Sequence, residues 1–301
     1  MNTSDHSATQ MAEGVRAIGP ACELGEGPLW HPLRKELFWF DIPDGQLYAA
    51  GVEGESRPVV NFGEPASAAG WIDENHLVVA TASAIRRLDV TSGQHTALFD
   101  LEADNPVTRA NDGRVGPDGT LWIGTMGRKL ESRAGAYYRV NGSGVALLFD
   151  EVTIPNATCF SPDGRTAYLA DTRRQLIWRW ALDDAGHPVG EKQVHINLQS
   201  ENLNPDGAVC DAEGFLWNAQ WGVSQLARYA PDGSLDRIIK LPVSQPTCPA
   251  FGGDDFKTLF ITSAKEGLSE AQLQAEPMAG KVLAIDVDIA GMAEHRAFAT
   301  A

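Results

Sequence analysis

Cysteine is scarce in this chain: four residues in 301, Cys22, Cys159, Cys210 and Cys248, far apart and without a Cys-x-x-Cys pair. That argues against a disulfide framework, and with no extracellular cue beside them the thiols are read as reduced and the protein as cytoplasmic. Long apolar runs are missing too, none approaching the ~18 residues of a membrane span. The first thirteen residues, Met1 to Glu13, have neither a basic start nor an apolar stretch. They are read as a disordered tail rather than a signal peptide, with a single domain over residues 14–301. Basic residues are few, 24 Lys and Arg against 40 Asp and Glu, a formal charge of -16. Such a balance repels phosphate backbones and anionic lipid, so neither nucleic acid nor membrane is an expected partner. A small-molecule substrate and a monomer or weak homodimer are expected instead.

Helical periodicity is nearly absent, except for a short stretch around Leu268 to Leu273. What recurs is a turn followed by a strand rich in aromatic and branched residues. His31-Pro32 precedes Leu37, Asp73-Glu74-Asn75 precedes Leu77, and Pro117-Asp118-Gly119 precedes Leu121. Pro162-Asp163-Gly164, Asp211-Ala212-Glu213-Gly214 and Gly253-Asp254-Asp255 likewise precede Ala167, Leu216 and Leu259. The six positions are spaced by 40, 44, 46, 49 and 43 residues, the period of a four-stranded propeller blade. The expected fold is therefore all-β: a six-bladed β-propeller of four-stranded antiparallel blades. Its ring is expected to close through the segment around His295 to Phe298.

In a propeller the first strand of each blade lines the axis, so one position of the repeat converges from all six blades. Ten or eleven residues before the equivalent positions stand Glu26, Ala66, Asn111, Asn156, Asp206 and Cys248. Four of these carry side-chain oxygen. Buried carboxylates and amides with no matching base are most simply satisfied by a cation. Oxygen donors favour hard ions such as calcium, magnesium or manganese, and fit zinc less well. Asp206 lies in Pro205-Asp206-Gly207, a turn-like triplet, but it stands too far before Leu216 to serve as that blade's turn, which Asp211 to Gly214 already supplies. Asn111-Asp112-Gly113 is also turn-like, and Pro117-Asp118-Gly119 follows too closely for both to be turns. Cys248 is read as packing.

The segments Leu24-Gly25-Glu26-Gly27-Pro28-Leu29-Trp30, Arg109-Ala110-Asn111-Asp112-Gly113, Gly124-Thr125-Met126, Asn156 and Pro205-Asp206-Gly207, in order from about residue 20 to 290, resemble the senescence marker protein/gluconolactonase family, which includes regucalcin. The resemblance implies one divalent metal ion, among calcium, zinc, manganese and iron, held by Glu26, Asn156 and Asp206. It implies that Arg109 and Asn111 contact the sugar, and that the activity is hydrolysis of a sugar lactone to its aldonic acid within a sugar oxidation pathway, with Asp206 also acting as catalytic base. Two departures stand out. Ala157 follows Asn156 where relatives often have Gly, and Gly127-Arg128-Lys129 replaces a loop that tends to be acidic. Arg128 and Lys129 are therefore expected to bind substrate, through an anionic group far from the lactone.

Two other classes compete. An arylesterase or organophosphatase propeller would use histidine, but none of the seven His residues falls in the channel register. Serine chemistry lacks its Gly-x-Ser-x-Gly elbow. The remaining competitor is a calcium-binding propeller without catalysis.

Overall fold

The turns marked in the sequence, and a further one at Pro231-Asp232-Gly233, close as tight reversals. Gly119, Gly164, Gly214 and Gly233 donate their N–H to the carbonyls of Gly116, Ser161, Asp211 and Ala230 at 2.8–3.0 Å. Each of these glycines has φ between 69° and 91°, a region that side chains rarely tolerate. The turn aspartates cap the next strand: Asp118 Oδ1 accepts from Thr120 N at 3.2 Å, and Asp163 Oδ1 from Arg165 N at 3.0 Å. Reversals at this spacing break the chain into short strands whose apolar residues face neighbouring sheets on both sides.

The computed structural model describes residues 8–52 and 55–299, and its strands form six sheets. The blades span residues 25–61, 66–100, 108–152, 155–197, 204–240 and 246–286. Their first strands are Gly25–His31, Ala66–Trp71, Thr108–Val115, Pro155–Phe160, Asn204–Cys210 and Pro246–Gly252. Each packs against the first strand of the next blade, and Pro246–Gly252 packs against Gly25–His31, so the ring is closed. Aromatic side chains fill the space between blades: Trp30 of blade one stacks on Phe260 of blade six at 5.6 Å, and Trp122 of blade three meets Phe160 of blade four edge-on at 5.4 Å. The one α-helix among the described residues is Glu270–Ala275, close to the stretch expected.

Closure differs from the expectation. Blade six takes its outermost strand from the N-terminal side, Arg16–Ile18, which pairs antiparallel with Val282–Asp286. Joining both ends of the chain in one sheet lets main-chain hydrogen bonds hold the ring shut. Residues 295–298 form no strand. They cross the opposite end of the channel, where Ala297 N donates to Trp71 O and Phe298 N to Gly119 O at 2.8 and 2.9 Å. Part of the expected disordered tail is ordered instead: Ala8–Met11 adds a fifth, parallel strand to the edge of blade five. Residues 1–7 of that tail lie outside the described residues.

All six first strands share one irregularity. Register breaks between Glu26 and Leu29, Ala66 and Ala68, Ala110 and Gly113, Asn156 and Cys159, Pro205 and Ala208, and Pro246 and Pro249. A bulge bends the strand and re-aims its side chains. Because every blade carries one at the same level, a constant count along the sequence finds residues that meet at the axis.

Candidate active site

Glu26, Asn111, Asn156 and Asp206 all stand at this bulge level, all are buried, and all line one cavity of about 230 Å³. Asp206 lies within a strand rather than a turn, as its place in the repeat requires; Asn218 Nδ2 pins the bulge by donating to the carbonyls of Asp206 and Gly207 at 2.9 and 3.2 Å. Asn111 likewise belongs to a strand. Gly27, beside Glu26, has φ +57°, and a Cβ there would stand 2.1 Å from the carbonyl oxygen of Ser67. Ala157, beside Asn156, adopts the same left-handed conformation at φ +54° with its methyl buried in the core. The departure noted in the sequence therefore leaves the bulge, and the Asn156 side chain, in place.

The electrostatics are those of crowded carboxylates with no basic group hydrogen-bonded to them, although the Arg109 and Arg114 charges partly offset the crowding at Glu26. Burial pushes the Glu26 carboxyl up to about 8, helped by the nearby Asp112 carboxylate. Asp206 is raised well above the ordinary carboxylate range by burial, then by the charges of Glu26 and Asp112. Asp112 is itself raised by burial, although Thr158 N donates to its Oδ2 at 2.7 Å. Among the described residues neither Glu26 nor Asp206 accepts a hydrogen bond from a basic side chain; each accepts one from the next backbone amide, that of Gly27 and of Gly207. Buried carboxylates without a hydrogen-bonded base suit a divalent cation, so the residues fit the metal that the sequence implied. Among the described residues no three His, Cys, Asp or Glu side chains converge, so a cation here would need a donor of another kind, and the Asn156 amide stands at the same level of the cavity.

The Asn156 side chain is held in one orientation. Its Nδ2 donates to Thr172 Oγ1 at 2.8 Å, and Thr172 Oγ1 donates onward to Pro205 O at 2.7 Å. Beside it, Arg109 Nη1 donates to Asn111 Oδ1 at 2.7 Å and to Ala110 O at 2.9 Å, which leaves Nε and Nη2 of the guanidinium for other work. Burial brings the Arg109 pKa down to about 10, against the opposing pull of Glu266 and Glu26. Arg109 and Asn111 thus stand together on the cavity wall, next to the carboxylates.

Arg128 and Lys129 do not line the cavity, contrary to expectation. The turn that carries them closes with Leu130 N donating to Gly127 O at 3.0 Å, and Leu130, at φ +61°, is the residue brought to the cavity. Arg128 Nε instead donates to Thr108 O at 2.9 Å, and Lys129 is exposed. Sequence reasoning missed Thr172, Arg173 and Glu266, which reach the cavity from connecting segments where no repeat spacing applies. It also missed Asp112. Asp112 does not line the cavity; buried next to Asn111, it acts on Glu26 and Asp206 through its charge.

At the far end of the same strands the channel is plugged. Arg114 pairs with Glu294 of the C-terminal segment and donates to the carbonyls of Thr158, Ala208 and Pro249 at 3.2–3.3 Å. The four cysteines are free and buried, with Cys159 and Cys210 packed in the channel wall.

Residues 24–265 match the SMP-30/gluconolactonase/LRE-like region. A protein of Rhizobium meliloti, provisionally named a sugar lactone lactonase, is 40% identical over 278 residues, covering 91% of this chain and 93% of its own. A 6-deoxy-6-sulfogluconolactonase of Pseudomonas putida is 34% identical over 276 residues, covering 90% of this chain and 94% of its own. Among solved structures, a calcium-binding protein, regucalcin, from Agrobacterium tumefaciens superposes with a TM-score of 0.93 at 36% identity, over 96% of this chain and 99% of that one.

Proposed function

For a chain that belongs to the SMP-30/gluconolactonase/LRE-like family, we propose hydrolysis of a sugar lactone to the open-chain aldonic acid. One observation carries the reading: two buried carboxylates with no basic partner share a cavity sized for a single sugar ring with an arginine and two amides. The names of the two relatives support the substrate class. Glu26, Asn156 and Asp206 would hold one divalent cation, and their oxygen donors suit calcium, magnesium or manganese better than zinc or iron. When bound, such a cation supplies Lewis acidity and makes nearby water more acidic.

Asp206 takes the proton from the attacking water as its oxygen bonds to the lactone carbonyl carbon. The ring carbon–oxygen bond then breaks, and the same proton passes to the departing ring oxygen, leaving an alcohol and a carboxylic acid that ionises by releasing the second water proton to solvent. Arg109 holds the sugar through its free Nε and Nη2 donors, and its positive charge favours the oxyanion that develops on the carbonyl. Asn111, fixed between Arg109 and the backbone oxygen of Pro155, sets the depth to which the ring enters. The reaction needs neither nucleic acid nor membrane, and among the described residues no helix is long and apolar enough to cross a bilayer. A monomer or weak homodimer in the cytoplasm suffices.

Acid release from a panel of aldonolactones with added calcium or manganese tests this. Turnover is expected in the wild type and its loss in Asp206→Ala; near-normal rates in that variant would rule the scheme out. Binding without catalysis is the second reading, favoured by the likeness to a calcium-binding protein. Silence across sugar lactones, aryl esters and phosphotriesters, with cation binding intact, would support it.

A further inference from the structure

Arg173 lines both this cavity and an adjoining surface recess of about 620 Å³. Its backbone is fixed on both sides. Arg173 N donates to Asp171 Oδ1 at 3.2 Å, and the preceding Thr172 is tied to Asn156 and Pro205. Its guanidinium, by contrast, meets no hydrogen-bond acceptor or carboxylate among the described residues, whereas that of Arg109 is partly engaged. Two more cations stand along the recess without an ion pair. Arg174 lies over Trp178 at 5.0 Å, and the Lys192 ammonium lies over Phe149 at 3.9 Å.

The acids of the recess do little to offset them. Glu151 is paired with Arg133, and Asp171 is buried and accepts from the backbone amides of Thr153, Ile154 and Arg173. Only Asp150 remains as an exposed, unpaired carboxylate there. Three unpaired cations gathered beside the reaction cavity run against the -16 charge of the whole chain.

We propose that the substrate is a lactone bearing an anionic group, a carboxylate, sulfonate or phosphate, on the end away from the ring carbonyl, and that Arg173 is the specificity residue that receives it. The planar guanidinium matches two oxygens of such a group at once, and Arg174 and Lys192 add field at longer range. The inference rests on the lactonase reading and goes beyond it by naming the substrate class.

The test compares kcat/KM for a neutral aldonolactone with the same lactone carrying a terminal carboxylate, sulfonate or phosphate. At low ionic strength the wild type is expected to favour at least one anionic form by about tenfold or more, and about 1 M salt should shrink that preference. Arg173→Glu should lower the anionic-to-neutral ratio by roughly a hundredfold, Arg173→Lys should keep part of it, and Arg174→Ala should reduce it less. A wild type that hydrolyses the neutral lactone with no anionic preference overturns this inference alone. So does a ratio that Arg173→Glu leaves unchanged. A wild type inactive on every lactone overturns the lactonase reading, and this inference with it.

Discussion

The hydroxyl of Thr172 accepts a hydrogen bond from Nδ2 of Asn156 at 2.8 Å while giving its own proton to the carbonyl of Pro205 at 2.7 Å. With that proton committed, the hydroxyl can offer the amide only a lone pair. The amide must therefore present its NH2 to Thr172 and its oxygen to the cavity side, where Asn111 Nδ2 donates to it at 3.3 Å. A threonine in the turn after the second strand of blade four thus fixes which atom of Asn156 can meet a cation.

Thr172→Val keeps the shape and removes the hydroxyl. Cation affinity, titrated calorimetrically with calcium or manganese, is expected to fall by about 10- to 100-fold, the usual range for losing a partner that orients a ligand. The unpaired Pro205 carbonyl should also cost about 1–3 kcal/mol of stability. Unchanged affinity in a folded variant would show that Asn156 needs no such support.

Stability should depend on pH in an unusual direction when the protein is stripped of cations. Glu26, Asp112 and Asp206 have folded-state pKa values raised above their ordinary ones, Glu26 from 4.5 to about 8. Between those values the folded state binds more protons than the unfolded state, so stability is fullest below the ordinary pKa and is lost as pH rises toward 8. Surface carboxylates with lowered values, such as Asp89 and Asp183, act only below this window. His31, His95, His195 and His295, lowered by burial from 6.5, act in the opposite sense but only below that value. The midpoint of thermal unfolding in chelator should therefore be higher at pH 7 than at pH 8. Added calcium or manganese should raise it more at pH 8, where it competes with fewer protons, by about 2.7 kcal/mol at a hundredfold excess over Kd. A midpoint that rises from pH 7 to pH 8 in chelator would contradict the crowded-carboxylate picture.

Asp211→Ala should be among the most damaging changes outside the cavity. Arg228 is 2% exposed and reaches Asp211 at 2.7 Å, Glu213 at 2.7 Å and Asp236 at 2.9 Å, with its guanidinium over Phe215 at 3.6 Å. Asp211 is wholly buried, also accepts from Trp217 Nε1 at 2.9 Å, and caps the turn that starts the second strand of blade five. Removing it strands a buried positive charge, at a cost of about 3–5 kcal/mol. Urea unfolding of the variant measures this, and a loss below about 1 kcal/mol would mean that Glu213 and Asp236 suffice.

The sites read from the sequence and those it missed divide along one physical line. Glu26, Asn111, Asn156 and Asp206 were legible because a propeller brings one register position of every blade to its axis, so distance along the chain stands in for distance in space. Thr172, Arg173 and Glu266 were not, because turns and loops vary in length and carry no shared register. Arg128 and Lys129 were misplaced for the same reason: a left-handed residue at Leu130 decides which side chain of that turn faces inward. The ring closure was misassigned because Arg16–Ile18 and Ala8–Met11 pair through main-chain hydrogen bonds, which three or four residues supply with little side-chain pattern.

By itself, then, the sequence determined six sheets, their order and which residues meet at their common centre, since these follow from periodic burial and from polar residues repeated at a constant interval. Only the tertiary structure decided how the ring is joined, which way the Asn156 amide points and which arginine faces the cavity. Those depend on hydrogen bonds and backbone conformations between segments far apart in the chain, which no local pattern encodes.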